Sequence, residues 1–301
     1  MHSTHDRVRF VYYEISSIFL INVCLFDFWS SKSISLVHWQ LFIDLTMFNS
    51  FRKAGGTRVE NSTTKQSNII VALDGLGLDS AAALVSQLKG KPYAYKIHDL
   101  WDQQGPGVVR KLLGNGAPRI FVDLKLHDIP NTVALRARAV RYAGAAMLTV
   151  HASGGTEMMQ AAVESGPPEI YAVTVLTSLS DENAHKMYGQ PAAAAALRMA
   201  RLAQWVGGIA GIVCSPQEVG LLATRSDLHG MKFITPGIRP ADKEAADQKR
   251  VDTPESAIYA GAHFLVIGRP ITQARIPLAT FDAINAKVVH AIEELKSMRL
   301  D

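Results

Sequence analysis

Two oppositely charged residues, Asp123 and Lys125, stand two positions apart near the end of an apolar run in residues 121–132, FVDLKLHDIPNT. Side chains two apart on a β-strand point to the same side, so these two are expected to share one face of a strand. Asp128 follows directly after the run, and Lys96 closes an earlier apolar run. If the two runs are neighbouring strands, the sequence predicts a cluster of two lysines and two aspartates.

Such a cluster could carry out a decarboxylation that needs neither a metal nor an organic cofactor. Nearby carboxylates favour the charged form of a lysine and raise its pKa, against the desolvation that lowers it. The same carboxylates would repel a carboxylate substrate and favour its loss as CO2, and a proton from Lys125 could then quench the carbanion. The alternative is a structural network of salt bridges, because perturbed ion clusters indicate a function without proving it.

The elements that must position this cluster follow a strict alternation after residue 67. Short apolar, β-branched segments predict eight strands, at 69–73, 93–97, 119–124, 146–151, 170–176, 211–214, 232–235 and 264–267. Segments of helical period predict the helices, at 80–88, 107–113, 131–142, 156–165, 192–205, 216–224, 254–260 and 271–298. Alternation of this kind predicts an α/β fold with parallel strands, a (β/α)8 TIM barrel. A doubly wound open sheet is the alternative, but no Gly-x-Gly-x-x-Gly follows the first strand.

Polar residues gather at the predicted carboxyl ends of the strands, where such barrels hold their active sites. They are Asp74, Lys96, Asp123, Lys125, His151, Thr177, Ser215, Gly237, Arg239, Gly268 and Arg269. The loops after strands seven and eight often bind phosphate, and an arginine fork such as that of Arg269 suits phosphate oxygens. The histidines at 98, 127 and 151 match no compact ligand spacing, so no metal site is expected. Trp205 and Met231 are expected in or near the core.

Composition limits the class of protein. The chain has 301 residues, 48% of them hydrophobic, and a net charge of +4 that is spread out rather than collected in a basic block. Neither a nucleic-acid partner nor a membrane partner is expected on this basis. The two cysteines, Cys24 and Cys214, have no metal-binding spacing, which is typical of a reduced cytoplasmic protein.

Residues 1–66 do not share the pattern of residues 67–301 and predict an atypical N-terminal extension, poorly ordered or dispensable, before the barrel domain. The apolar stretch at 16–26 is shorter than the roughly 20 residues that a membrane span needs. Three interpretations stay open for this segment. It is an upstream extension before a true start such as Met47, a targeting segment, or a small accessory element.

Six segments resemble those of orotidine 5′-monophosphate decarboxylases of the bacterial type. They are VALD (71–74), DLKLHDIPNT (123–132), VLTS (175–178), TPGIR (235–239), ADQKR (246–250) and GRPI (268–271). They stand in the family's order and spacing, and the resemblance covers about residues 67–290. The chain departs from the pattern at His98, where a glycine is expected in many relatives. The DxKxxD core is shared with related phosphate-sugar barrels, whereas HDIPNT, TPGIR and GRP are much more specific.

The resemblance implies conversion of orotidine 5′-monophosphate to uridine 5′-monophosphate and CO2 in de novo pyrimidine biosynthesis, with no cofactor. Lys125 resembles the lysine that protonates carbon 6 of the pyrimidine, and its implied charged partners are Lys96, Asp123 and Asp128. The family also implies a homodimer, in which Asp128 and Thr132 complete the site of the neighbouring subunit.

The remaining residues of the resemblance are implied to bind the substrate. Asp74 and Lys96 resemble contacts to the ribose hydroxyls, and Thr177 a contact near the base. The implied phosphate group consists of Arg239, Gln248, Gly268 and Arg269. The long polar stretch 237–250 is expected to form a lid, with Gln248 closing onto the phosphate so that remote binding energy assembles the site.

Three other functions compete with this interpretation. A sugar-phosphate decarboxylase or aldolase of the related barrels would generally need a divalent metal and would lack HDIPNT. A non-catalytic barrel that binds a phosphorylated ligand would be expected to have lost part of the charged cluster. A membrane-attached protein would be expected to sediment with membranes through residues 1–66.

Overall fold

A closed barrel of eight parallel strands forms the body of the protein in the computed structural model, which describes residues 67–239 and 252–298. The strands are β1 (Ile69–Ala72), β2 (Ala94–Ile97), β3 (Ile120–Leu126), β4 (Met147–His151), β5 (Glu169–Val173), β6 (Ile209–Val213), β7 (Lys232–Thr235) and β8 (Phe264–Ile267). Each strand pairs with the next, and β8 closes the barrel onto β1. The predicted (β/α)8 fold is therefore confirmed, and every predicted strand is present, β7 and β8 with the predicted bounds and the other six with shifted bounds.

Helices connect the strands around the outside of the barrel. They are α1 (Leu78–Leu88), α2 (Asp99–Gln104), α3 (Gly107–Gly114), α4 (Pro130–Ala143), α5 (Thr156–Ser165), α6 (Asp181–Tyr188), α7 (Ala192–Val206), α8 (Pro216–Ala223), α9 (Pro254–Tyr259), α10 (Arg269–Thr272) and α11 (Pro277–Ser297). The prediction of one helix over 271–298 was wrong, because the helix is interrupted after Thr272. A second helix, α11, begins at Pro277. The short polar helices α2 and α6 were not predicted. Within the described ranges, no helix is both long and apolar enough to cross a membrane.

The core has two layers, as both faces of the barrel strands are covered. Alternate strand residues fill the interior of the barrel, among them Phe121 and Tyr171, while their neighbours pack against the helices. Met231 is buried as predicted, but the prediction for Trp205 was wrong, since its surface is 85% exposed. Trp205 lies in the last turn of α7 and outside the row of small buried residues on which that helix packs.

A polar cluster closes the amino-terminal end of the barrel, opposite the predicted site. The Arg119 guanidinium lies 2.5 Å from a Glu169 carboxylate oxygen and also donates to the Tyr93 hydroxyl, while Tyr171 donates to Glu169 over 2.7 Å. Burial by itself would raise the pKa of Glu169. The hydrogen bonds from Arg119 and Tyr171 outweigh that effect, so the pKa of the carboxyl is lowered. Active sites of such barrels lie at the opposite end, so this cluster is expected to serve stability rather than catalysis.

Replacing Glu169 with glutamine is expected to lower the free energy of unfolding by about 2–3 kcal/mol at neutral pH, since it leaves Arg119 half-buried without its counter-ion. The lowered pKa means that the carboxylate stabilises the fold above its ordinary pKa of 4.5 and loses that effect as the pH falls through the folded value. The difference between wild type and Glu169→Gln should therefore shrink below about pH 4. Urea unfolding at several pH values measures both effects.

The matched control for this prediction is Asp282→Asn, which breaks the exposed ion pair of Asp282 with Lys91. An exposed pair of this kind contributes only about 0–1 kcal/mol, so little change is expected. Equal losses in the two variants, or a Glu169→Gln deficit that persists in acid, would contradict the structural role of the buried pair.

Candidate active site

A cavity of about 460 Å³ opens at the carboxyl ends of the strands. Nine of the predicted site residues line it: Asp74, Lys96, Asp123, Lys125, Thr177, Gly237, Arg239, Gly268 and Arg269. His151, Ser215, Asp128 and Thr132 are not among its lining residues, and Gln248 with most of the expected lid lies outside the described residues. The strand ends thus bring most of the predicted set to one place.

Four charged side chains alternate in sign along one wall of the cavity. Lys96 Nζ lies 2.7 Å from both carboxylate oxygens of Asp74, at the end of the neighbouring strand β1. The same Nζ lies 3.3 Å from Asp123 Oδ2, and Lys125 Nζ lies 2.8 Å from that oxygen. Asp123 therefore stands between the two lysines, and within one chain the second aspartate of the row is Asp74.

Burial and the neighbouring charges shift the pKa values of the row in opposite directions. Burial raises the pKa of Asp123, but the charges of Lys96 and Lys125 and hydrogen bonds from Lys125 and Thr149 hold it well below its usual range. Burial likewise lowers the pKa of Lys96, and the carboxylates of Asp123 and Asp74 reverse this and raise it above its ordinary value. The centre of the row is therefore an ionised carboxylate and an ionised ammonium at neutral pH.

Strand β3 is irregular where it carries Asp123 and Lys125. Pairing with β4 is interrupted between Val122 and Leu126, and Lys125 has a left-handed backbone with a φ of 47°. Regular alternation therefore does not explain why the two side chains meet, although the prediction that they share one side was confirmed by their contact. An irregular strand next to a site re-aims side chains that a regular strand would place differently.

Asp128 occupies a different surface from the row of charges. It is exposed, and its carboxylate accepts the N–H of Ile129 over 2.7 Å, just before α4 begins at Pro130. Thr132, in the first turn of α4, is part-buried and does not line the cavity either. Within one chain these two residues do not join the ionic row.

The histidines that could suggest a metal are used in other ways. The rings of His127 and His151 pack with centroids 5.5 Å apart, and His98 Nδ1 lies 2.9 Å from the main-chain oxygen of Asp123. Burial and the neighbouring positive charges lower the pKa of His151. In the parts of the chain that the structure describes, no group of three or more His, Cys, Asp or Glu residues could hold a metal ion.

The part of the cavity at the ends of β7 and β8 is lined by two arginines and two glycines, Arg239, Arg269, Gly237 and Gly268. Arg239 follows β7 and Arg269 follows β8, and both line the cavity. Gly237 has a φ of 81°, a conformation that a residue with a Cβ rarely adopts, so the turn after β7 depends on it. This part of the cavity is suited to an anionic group, whereas the ionic row stands at the ends of β1, β2 and β3.

Comparison with known proteins identifies the family. A family model described as "Orotidine 5'-phosphate decarboxylase / HUMPS family" matches residues 67–284. The chain belongs to this family. A protein of Idiomarina loihiensis named orotidine 5′-phosphate decarboxylase is 46% identical over 220 residues, which cover 70% of this chain and 94% of that protein. A protein of the same name from Laribacter hongkongensis is 46% identical over 229 residues, covering 73% and 92%.

Solved structures of the orotidine 5′-phosphate decarboxylase family share the fold. A crystal structure of the enzyme from Lactobacillus acidophilus matches with a TM-score of 0.63 and 34% identity, covering 74% of this chain and 99% of that one. The enzyme from Pyrococcus horikoshii matches with a TM-score of 0.60 and 27% identity, covering 73% and 98%. The residues matched by the family model, 67–284, include all eight strands of the barrel.

Sequence reasoning missed two kinds of residue in this family's site. The first is the apolar floor of the cavity, which consists of Ala72, Phe121, Val213, Ile234 and Val266. Their period of two along the predicted strands could have indicated it. The second is Thr149, a polar residue in the apolar strand β4 that bonds to both Asp123 and Lys125.

Proposed function

We propose that this chain decarboxylates orotidine 5′-monophosphate to uridine 5′-monophosphate and CO2, in de novo pyrimidine biosynthesis and without a cofactor. The observation that carries the proposal is the row Asp74, Lys96, Asp123 and Lys125 in a cavity that Arg239 and Arg269 also line, at the ends of β7 and β8. A nucleotide fits this arrangement when its phosphate binds the arginines and its base carboxylate lies beside Asp123, which disfavours it, and Lys125, which can donate a proton. The names of the relatives support this substrate.

The proposed reaction breaks the bond between carbon 6 and the carboxylate. The electron pair stays on carbon 6, CO2 leaves, and the Lys125 ammonium donates a proton to that carbon. Lys125 then regains a proton from water. Asp123 contributes by holding Lys125 in place, 2.8 Å away, and by disfavouring the substrate carboxylate more than the neutral product.

The other lining residues are proposed to hold the substrate. Asp74 and Lys96 would bind the ribose hydroxyls, since β1 and β2, which carry them, stand between β8 with its arginine and β3 with Asp123 and Lys125. Thr177 would contact the base. Arg239, Gly268 and Arg269 would bind the phosphate together with Gln248, which a closing lid over 237–250 would supply.

Loss of orotidine 5′-monophosphate absorbance with purified protein in excess chelator tests this function. Turnover under these conditions would support it and would exclude the metal-dependent sugar-phosphate rival. A folded protein that binds uridine 5′-monophosphate without turning over the substrate would point to a non-catalytic binding barrel. A folded protein with neither activity would overturn the proposal.

A homodimer with shared sites is part of the proposal, and an exposed apolar stripe supports it. Leu135 and Tyr142 lie two turns apart on one face of α4 and are 56% and 72% exposed, and Ile129, the residue before that helix, is 66% exposed. Asp128 and Thr132 adjoin this stripe. A second copy packed on the stripe would bury apolar surface. It would also bring Asp128 and Thr132 of one subunit towards the cavity of the other subunit.

Mixing two inactive variants, Lys125→Ala and Asp128→Ala, is expected to restore about a quarter of the wild-type activity after subunit exchange. Each mixed dimer then has one site that lacks both residues and one that has both. The measurement is the activity recovered after mild dissociation and reassociation of equal amounts. The matched control is Lys125→Ala mixed with Lys96→Ala, which should recover nothing because both residues serve the site of their own chain.

The dimer itself can be checked by Leu135→Arg, which places a charge in the apolar stripe. Sedimentation should shift from dimer to monomer, and activity should fall with it. Two results would contradict the shared site. One is recovery of activity in the control mixture of Lys125→Ala and Lys96→Ala. The other is no recovery of activity in the mixture of Lys125→Ala and Asp128→Ala when the protein sediments as a dimer.

Residues 1–66 are proposed to be dispensable for catalysis. The family match begins at residue 67, and the matched part of this chain already covers 94% of a named relative. A variant that starts at Ser67 should keep kcat and KM within about twofold of wild type, because Ser67 itself is tied to the barrel through Asn285. Kinetics of the two forms measure this, and a folded but inactive short form would overturn it. A cytoplasmic location stays a prediction from the cysteine usage.

A further inference from the structure

The irregular part of β3 is tied to one residue of the neighbouring strand. Pairing between β3 and β4 stops after Val122 and resumes at Leu126. Over the same stretch β4 supplies one residue, Thr149, so residues 123–125 stand opposite it. A left-handed backbone at a residue with a side chain is strained and persists only where the surroundings hold it. Lys125 is such a residue.

The Thr149 hydroxyl makes two hydrogen bonds to this stretch. It accepts the backbone N–H of Lys125 over 2.8 Å, which gives that N–H a partner where the strand pairing is interrupted. It also donates to Asp123 Oδ1 over 2.8 Å. A single hydroxyl can do both, since it has one proton to give and lone pairs to accept.

The Thr149 side chain is fully buried and is not among the residues that line the cavity. Contact with the substrate is therefore not its role. Its bonds lead to the carboxylate oxygen next to the one that Lys125 Nζ contacts, and to the main chain of Lys125 itself. Moving either group by a fraction of an ångström changes the aim of the ammonium.

We infer that Thr149 is a positioning residue that sets the direction of the Lys125 ammonium through the irregular part of β3. This inference rests on the proposed function, in which Lys125 is the proton donor. Threonine is needed for its hydroxyl, because valine has the same shape without the hydrogen bonds. Serine retains the hydroxyl and should preserve the arrangement.

Thr149→Val is expected to lower kcat by about 10- to 100-fold, the loss typical of a hydrogen bond to a charged group. KM and the dissociation constant of uridine 5′-monophosphate should stay within about threefold, because the cavity wall is unchanged. Thr149→Ser should restore kcat to within about threefold of wild type. If Thr149→Val does not fold, Thr149→Ala replaces it, with the same expected loss of kcat.

The matched control is Thr174→Val, which removes a buried hydroxyl that bonds only to the main-chain oxygen of Val213. It should leave kcat near the wild-type value. The inference would be overturned by a wild-type kcat in Thr149→Val or Thr149→Ala. It would also be overturned by equal losses of kcat in Thr149→Val and Thr174→Val, or by a kcat of Thr149→Ser as low as that of Thr149→Val. An inactive wild-type protein would instead overturn the proposed function, so the two failures are distinguishable.

Discussion

Replacing Lys125 with alanine is expected to lower kcat by about 10⁴-fold or more, because the variant loses the proton donor and half of the positive charge around Asp123. The structure places Lys125 Nζ 2.8 Å from that carboxylate at the wall of the cavity, where the ammonium is held rather than free to rotate. Loss of orotidine 5′-monophosphate absorbance, measured in excess chelator, checks the prediction. Uridine 5′-monophosphate should still bind, since the phosphate end of the cavity is untouched.

Lys91→Ala is the matched control for this change. Lys91 forms an exposed ion pair with Asp282 and lies away from the cavity. Its removal should leave turnover unchanged. Residual activity of a few per cent or more in a folded Lys125→Ala protein would be incompatible with direct protonation by this lysine.

Replacing Arg269 with alanine is expected to lower kcat/KM for orotidine 5′-monophosphate by about 10²- to 10³-fold, since a guanidinium makes paired, charge-assisted hydrogen bonds to a phosphate. The kcat/KM of Arg269→Lys should lie between those of Arg269→Ala and wild type, because an ammonium keeps the positive charge but cannot make the paired hydrogen bonds of a guanidinium. The decisive comparison uses orotidine, which lacks the phosphate. Wild type and Arg269→Ala should turn over orotidine at similar rates, so the defect disappears with the group that the arginine binds.

Arg275→Ala is the control for this prediction, because Arg275 is an exposed arginine of the loop that follows α10. It should have wild-type kinetics with both substrates. If Arg269→Ala lowers kcat/KM equally for orotidine and for orotidine 5′-monophosphate, Arg269 stabilises the barrel and does not bind the phosphate. The same comparison applied to Arg239→Ala shows whether the loop after β7 shares the phosphate.

The ionic row shows how much of the candidate site could be predicted from the sequence. Spacing predicted that Asp123 and Lys125 share a side and that Lys96 reaches them from the neighbouring strand, and the structure confirms both. The physical reason assumed for the first was regular alternation along β3. The structure replaces that reason with an interrupted pairing and a left-handed Lys125. A period of two cannot reveal an irregularity, because it assumes that none is present.

His98 makes a contact that the sequence pattern could not predict. The sequence departs from the expected glycine at this position, which left the local shape after β2 open. The structure places its ring 2.9 Å from the main-chain oxygen of Asp123, so the departure adds a contact to the irregular part of β3. Contacts between side chains and distant main-chain groups depend on the fold and leave no pattern in the sequence.

The sequence by itself determined the fold class, the order of the eight strands and most of the residues at the mouth of the barrel. It could do so because alternating apolar periods dictate burial, and because parallel strands must bring their carboxyl ends to one face. Tertiary structure alone decided that Asp74 completes the ionic row within one chain, that Trp205 is exposed, and that Thr149 holds the strand which carries the two central charges. These depend on distances between residues far apart in the chain, which burial patterns along the sequence do not encode.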